Sequence, residues 1–292
     1  MIYNKIAIYT AIIGDYDIIR QPEIIDERFD YIIFSDNIKT NQIGVWRIRP
    51  IHYYNKIQTK IARWVKTHPE LLLSDYSCSI WIDANIIITS NFVYQRSISL
   101  YEGGVDVASV SHPDRQCTYM EGVTCMFLQL DSERNILPWL RKLHIMGYPE
   151  NAGLWETNIL FRSHKRSVQF DNIWWSIIDK YSKRDQLSFG YALWKTRINC
   201  VHFLNKGESA RNSSHFKYIE HHSKPIGRTV PINNRDFPFL NRYKSLNPYK
   251  NIDNYDFKKK YCLFYKAPFP LAHAWLYGIL YFFYLKIKTK VL

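Results

Sequence analysis

The segment Ile80-Trp81-Ile82-Asp83-Ala84-Asn85 ends an apolar run in Asp-x-Asn. Side chains alternate along a strand, so Asp83 and Asn85 would set two oxygens on one side of the chain. Hard divalent cations take such ligands, and a Mn²⁺ or Mg²⁺ held there can bridge a diphosphate and stabilise its departure. The same pattern also suits a turn whose Asx side chains bond nearby backbone. Upstream, Tyr9-Thr10-Ala11-Ile12-Ile13-Gly14-Asp15-Tyr16-Asp17 puts a glycine and polar groups at the end of another apolar run. Open α/β sheets bind nucleotides at that kind of edge, although an ordinary strand-to-helix turn looks alike. Phe34-Ser35-Asp36-Asn37 could bond a base or ribose, or cap a helix. Lys56, Lys60 and Arg63, at i, i+4 and i+7, make a basic stripe with Lys66 nearby. Such a stripe suits a phosphate, and equally a solvated helix face.

Two later segments add sugar-binding chemistry. In Gly153-Leu154-Trp155-Glu156-Thr157-Asn158 the indole of Trp155 could stack on a sugar face. Glu156, together with Asp185 of Arg184-Asp185-Gln186-Leu187-Ser188-Phe189, could then bond its hydroxyls. A buried Trp, a solvent-facing Glu and a helix cap at Asp185 fit the same residues. The pair His221-His222 closes a candidate strand, where a His could complete a metal site begun by Asp83 or simply be a surface histidine.

These residues need a scaffold that brings strand ends together. Short apolar runs alternate with amphipathic stretches over the first two-thirds of the chain, which argues α/β. The pattern predicts strands at 6–12, 31–34, 46–51, 79–82, 105–110 and 157–161, with two more at 198–204 and 216–220. Helices are predicted over 54–67, 135–145, 168–181 and 186–194, the last opened by Asp185 as its N-cap. The 292 residues suffice for a full core, and a formal charge of +13 favours an anionic partner: nucleotide diphosphate, acidic lipid or polyanionic glycan. The basic residues are spread out with no recognition motif, which speaks against nucleic acid. Five scattered cysteines without a C-x-x-C pair form neither a disulfide framework nor a zinc site, and fit a reducing compartment. Asp15 and Asp17 come too early for a signal peptide, so a first strand and a cytoplasmic location are expected.

Taken in order, Tyr9-Thr10-Ala11-Ile12, Gly14-Asp15-Tyr16-Asp17, Phe34-Ser35-Asp36, Ala62-Arg63-Trp64-Val65-Lys66, Trp81-Ile82-Asp83-Ala84-Asn85, His112-Pro113-Asp114-Arg115, Glu156-Thr157-Asn158 and Arg184-Asp185-Gln186-Leu187-Ser188-Phe189 resemble the domain-of-unknown-function 616 family. That family comprises glycosyltransferases of bacterial polysaccharide loci and plant mucilage synthesis, and the resemblance covers residues 5–190. It implies a GT-A-like nucleotide-sugar-binding fold, a Rossmann-like mixed sheet flanked by helices. It further implies that Thr10, Gly14 and Tyr16 line the nucleotide, that Asp36 meets the base or ribose, and that Arg63 and Lys66 face the diphosphate. Asp83 with Asn85 would stand for the family's Asp-x-Asp metal motif. Asp185-Gln186, with the later His222, Lys224 and Pro225, is similar to retaining enzymes of the glycogenin-like family, in which the His joins the metal and the Asp contacts the donor sugar. His202 and His221 are the other candidate ligands.

The expected protein is thus a hexosyltransferase that takes a sugar from a nucleotide-sugar donor, UDP-linked by preference, to a glycan or lipid-linked acceptor in cell-surface polysaccharide synthesis. Asp185, Glu156 and Gln186 are its expected catalytic residues. The alternative is a non-catalytic polyanion- or membrane-binding protein that has kept a sugar-nucleotide fold. Three regions are expected: a GT-A-like domain over 1–224, an irregular basic and aromatic extension over 225–266, and an apolar-basic helix over 267–292. Residues 267–285 carry no formal charge, and Lys286, Lys288 and Lys290 follow. Such a tail suits an anionic membrane surface, here the inner face of the cell membrane.

Overall fold

The structure, a computed structural model, describes residues 6–221 apart from Gln129. The expected extension over 225–266, the helix over 267–292 and His222 lie outside the described residues. The chain divides into two compact units, Met1–Pro113 with Gly153–Ile226, and Asp114–Ala152 with Gly227–Leu292.

The first unit is built on a mixed sheet. Its strands are β1 (Ile6–Ile12), β2 (Phe29–Ser35), β3 (Gln42–Ile43), β4 (Trp46–Pro50), β5 (Cys78–Ile82), β7 (Val107–Ser111), β8 (Trp155–Ser163) and β9 (Cys200–His202), in the order β3-β4-β2-β1-β5-β8-β7-β9. β1 is parallel to β2 and β5, whereas β8 runs antiparallel to β5 and β7. A separate ribbon pairs β6 (Ile86–Ile88) antiparallel with β10 (Phe216–Tyr218). The α/β class expected from the sequence is the class observed.

Near-continuous apolar runs form these strands because both sheet faces are covered. On one face Ile8, Ile12, Ile80 and Ile82 pack with Val93, Tyr94 and Leu100 of α3 (Phe92–Glu102). On the other, Ala7, Tyr9 and Trp81 pack with Val65 of α1 (Gln58–Thr67), with Phe170, Trp174 and Ile178 of α6 (His164–Lys180), and with Phe189, Ala192 and Leu193 of α7 (Gln186–Thr196). A short α2 (Pro69–Leu72) follows α1. α1 begins later than the predicted 54 because Asn55 Oδ1 accepts the Ile57 N–H at 2.9 Å, holding the chain in a bend. Arg162 of β8 is fully buried and bonds Asp171 of α6, the Tyr9 hydroxyl and the Lys66 carbonyl, tying strand and helices together.

In the second unit, α4 (Thr118–Phe127) packs on α5 (Glu133–Ile145). Gly122 makes the approach possible, since a Cβ there would stand 2.7 Å from Leu140 Cδ1. Arg115, at the end of the His112–Arg115 motif, pairs with Glu121 at 2.5 Å.

Candidate functional site

β1 has β2 on one side and β5 on the other, so the crossovers leave it in opposite directions and open a crevice beyond its C-terminal end. The candidate residues gather there. β8 contributes through an irregularity: Ser109 of β7 faces Leu160, but Val110 faces Glu156, so residues 157–159 bulge from the ladder. Ser109 Oγ donates to the carbonyls of Glu156 and Ile159, at 2.7 and 3.0 Å, satisfying groups the bulge frees. Bulges re-aim side chains beside functional sites. Here the bulge sends Thr157 toward one polar cluster and Glu156 and Asn158 toward a second.

The first cluster is ionic and buried. Lys66 Nζ lies 2.7 Å from Asp185 Oδ2, 3.1 Å from Thr157 Oγ1 and 3.7 Å from Asp83 Oδ1. Thr157 also donates to Asp185 at 2.8 Å, and Arg63 Nε stands 3.3 Å from the same carboxylate oxygen. The side chains of Lys66 and Asp185 are only 1% and 3% exposed. Two cations and two carboxylates balance, which corrects the expectation that Lys66 faces a diphosphate: its charge is already matched and out of reach. Arg63 keeps more exposure, 17%, but it too is aimed at Asp185. Burial depresses the pKa of Lys66 against the opposing pull of Asp185 and Asp83.

Asp185 stands at the N-cap position of α7, but its side chain makes no capping bond. Its carboxylate serves Lys66 and Thr157 instead, and its carbonyl accepts the Trp174 indole N–H at 2.9 Å. Burial alone would raise its pKa, and the charges of Arg63 and Lys66 override burial and hold it well below the carboxylate range. The unfolded chain takes up this proton near pH ~4. Below that value, down to the folded pKa, the unfolded state binds more protons, so the stability this group supplies at neutral pH is lost as pH falls. Thermal unfolding from about pH 7 to about pH 3 should show a component of acid destabilisation that Asp185→Asn lacks. Parallel curves for the two proteins would mean that Asp185 carries none of it.

Beyond the end of β1, Gly14 and Asp36 meet: the Gly14 N–H donates to Asp36 Oδ1 at 2.8 Å. Gly14 has φ +55°, and a Cβ there would also come within 3.2 Å of Gln58 Nε2 at the start of α1, so the turn requires glycine. Tyr16 packs on the His221 ring at 4.6 Å, and His221 Nδ1 is 2.8 Å from Asp17 Oδ2. Thr10 is buried at the wall of a cleft of about 380 Å³, counted with its open mouth, which Ile12, Arg20, Ile82 and Asp83 also line. Its hydroxyl has no hydrogen-bond partner among the described residues.

The second cluster centres on Glu156. Its Oε1 pairs with Arg211, its Oε2 accepts the Asn158 amide at 3.4 Å, and the Arg211 guanidinium lies 4.8 Å from the centre of the Tyr218 ring. The reading of Glu156 as solvent-facing is thus corrected. Arg211, in a polar loop with no motif around it, gave no local signal in the sequence. Gln186 lies beside this region, donating to the Trp155 carbonyl at 3.4 Å and accepting from Arg184 at 3.1 Å. Trp155 packs on His202 at 5.0 Å and on Phe189 at 6.4 Å.

Asp83 and Asn85 do not form the expected pair of metal oxygens. β5 ends at Ile82, and the Ile86 N–H donates to the Asp83 carbonyl at 2.9 Å, so the residues lie in a turn and strand alternation no longer applies. Asn85 is buried and donates its amide to the Ile219 carbonyl at 2.8 Å, pinning the end of β10. Asp83 keeps a side chain 28% exposed, oriented by the Trp81 indole N–H at 2.6 Å. Among the described residues, no three His, Cys, Asp or Glu side chains gather as a metal site. The partly exposed Asp83 carboxylate suits a divalent cation, whereas Asn85 is buried with its amide N–H held by Ile219.

An open α/β sheet with acidic, basic and hydroxyl side chains collected at its switch point has the build of a ligand-binding α/β enzyme fold. A family model for the TOD1/MUCI70 glycosyltransferase-like domain matches residues 1–221, and the chain belongs to that family. The glycosyltransferase kinship expected from the motifs is therefore shown, under that description rather than as the domain-of-unknown-function 616 family. No curated protein matches the chain. Among solved structures it is similar to the apo form of the bifunctional glycosyltransferase WbbM, at 13% identity and a TM-score of 0.40, over 69% of this chain and 39% of that one. The chain thus spans well under half the length of that neighbour. No helix among the described residues is long and apolar enough to cross a membrane.

Proposed function

We propose that the protein transfers a hexosyl group from a nucleotide sugar, UDP-linked by preference, to a glycan or lipid-linked acceptor of a cell-surface polysaccharide. The observation that carries this reading is the convergence of Thr10, Asp83, Thr157 and Asp185 on the ends of β1, β5, β8 and α7 in a chain of the glycosyltransferase-like family. Thr10, Gly14, Tyr16 and Asp36 line the nucleotide. Asp83 faces the diphosphate, where a bound Mn²⁺ or Mg²⁺ held by its carboxylate would neutralise charge. Lys66 and Arg63 act behind this surface by fixing the carboxylates of Asp185 and Asp83 in place.

The retaining course implied by the Asp185-Gln186 resemblance is part of this proposal, and the pairing of Glu156 and Asp185 agrees with it. An inverting transfer needs a carboxylate as general base. Glu156 is paired with Arg211 and Asp185 with Lys66, so neither is poised to take a proton. A place at an anionic inner membrane face belongs to the same proposal. Its support is the basic charge and the uncharged run at 267–285, which lies outside the described residues.

A thermal-shift series with UDP-, GDP-, CMP- and dTDP-sugars, each with and without Mn²⁺, tests the donor. A ligand at about 100 times its Kd should stabilise the fold by about 2.7 kcal/mol. The expected result is a rise in Tm with one nucleotide class and little with the others. No rise with any of them would overturn the nucleotide-sugar assignment.

A further inference from the structure

We propose that Glu156, Asn158 and Arg211 form a subsite that binds sugar hydroxyls, and that Asn158 is its specificity-determining residue. This rests on the glycosyl-transfer reading and names where a sugar is held. Asn158 is 8% exposed, and its Oδ1 has no hydrogen-bond partner among the described residues. A buried amide oxygen left without a donor costs stability, so a site that keeps one is built for a donor from outside. The Asn158 amide N–H is turned to Glu156, which aims the oxygen away from that carboxylate.

The surroundings are rigid and polar. Glu156 is buried, and Arg211, 51% exposed along its side chain, clamps it from the solvent side. The Arg211 loop is braced by the Ser209 N–H donating to Asn212 Oδ1 at 2.7 Å and by the Asn205 N–H donating to Glu208 Oε2 at 3.2 Å. A carboxylate, an amide oxygen and a guanidinium supply two acceptors and a donor, which matches neighbouring hydroxyls that both donate and accept. The subsite adjoins the reacting edge, because the Asn158 carbonyl accepts the Asp83 N–H at 2.9 Å. Phosphate is a poorer fit, since it would bring negative charge against the Glu156 carboxylate.

The sugar can be the hexose of the donor or a residue of the acceptor, and Asn158→Leu in the full chain separates the two. Calorimetric titration compares UDP with UDP-glucose, or the corresponding pair from the donor class that raises Tm. With a donor-sugar subsite, affinity for the free diphosphate stays within twofold while affinity for the nucleotide sugar falls at least fivefold. With an acceptor subsite, both affinities hold and the KM for acceptor rises at least fivefold. Melting temperature should change little, because the replacement removes an unpaired buried oxygen together with the long 3.4 Å amide bond to Glu156, and the two effects oppose each other. An amide with a purely structural role would lower it clearly. Should Tm fall, Arg211→Lys decides, since the side chain is half exposed: the same fivefold loss supports the subsite, and unchanged binding overturns it. Donor binding and acceptor KM both within twofold of wild type for Asn158→Leu overturn it directly. If wild-type protein binds no nucleotide sugar, the function proposed above fails by itself. The subsite is then titrated with methyl glucoside and methyl galactoside. Binding that Asn158→Leu abolishes supports it, and no binding by the wild type ends it.

Discussion

Asp185→Asn should cost the protein about 3–5 kcal/mol of folding stability, the penalty of removing one partner from a buried ion pair. The amide keeps the shape of the carboxylate and loses its charge. Lys66, 1% exposed and 2.7 Å away, then keeps only Asp83, at 3.7 Å, as counter-ion besides Arg63 of like sign. For a domain of this size the loss corresponds to a fall in Tm of roughly 10 °C. The control is Asp185→Asn combined with Lys66→Met, because replacing both charges by apolar or neutral groups is often close to neutral for stability. The double variant should recover most of the Tm while transfer stays low, since the edge then has lost its fixed charges. Thermal unfolding of wild type, single and double variants checks this. A single variant that melts within about 2 °C of wild type would show that Asp185 is not the counter-charge of Lys66.

Asp83→Asn should leave the fold nearly intact and lower transfer on the order of 100-fold or more, the scale for removing one preorganised electrostatic group. The side chain is 28% exposed at the end of β5, so it contributes little core. The asparagine oxygen can still accept the Trp81 indole N–H, so the orientation of the residue survives and only its charge is removed. Turnover with the donor identified by thermal shift, read beside Tm, is the measurement. Near-normal turnover would place the reacting edge elsewhere. Under the proposed function these two variants should divide the cluster, with Asp185→Asn read mainly in stability and Asp83→Asn mainly in turnover.

Much of the fold was legible because both sheet faces are covered, which makes strands plain as apolar runs. β1 was predicted with its observed limits, and β2, β4 and β5 to within two residues. α3 was missed for a physical reason. Phe92, Val93, Tyr94 and Ile98 read as strand-formers, and only the burial of Val93, Tyr94, Ser97 and Leu100 along one helix face makes the segment helical. β6 and β10, three residues each, pair with each other away from the main sheet, a partnership no local pattern announces.

The sequence by itself determined the class of fold and the glycosyltransferase-like kinship, and residue type and spacing marked Asp83, Glu156 and Asp185 as candidates for chemistry. The tertiary structure alone decided which partners these and the neighbouring residues take. It turned Lys66 inward against Asp185, because α1 and α7 pack on the same sheet face. It engaged the Asn85 amide N–H with the Ile219 carbonyl at the end of the returning β10, in a turn beyond β5. It brought Arg211 to Glu156 across 55 residues of chain. Each outcome depends on pairing between segments distant in sequence, where a buried charge or amide must take whatever partner the packing supplies.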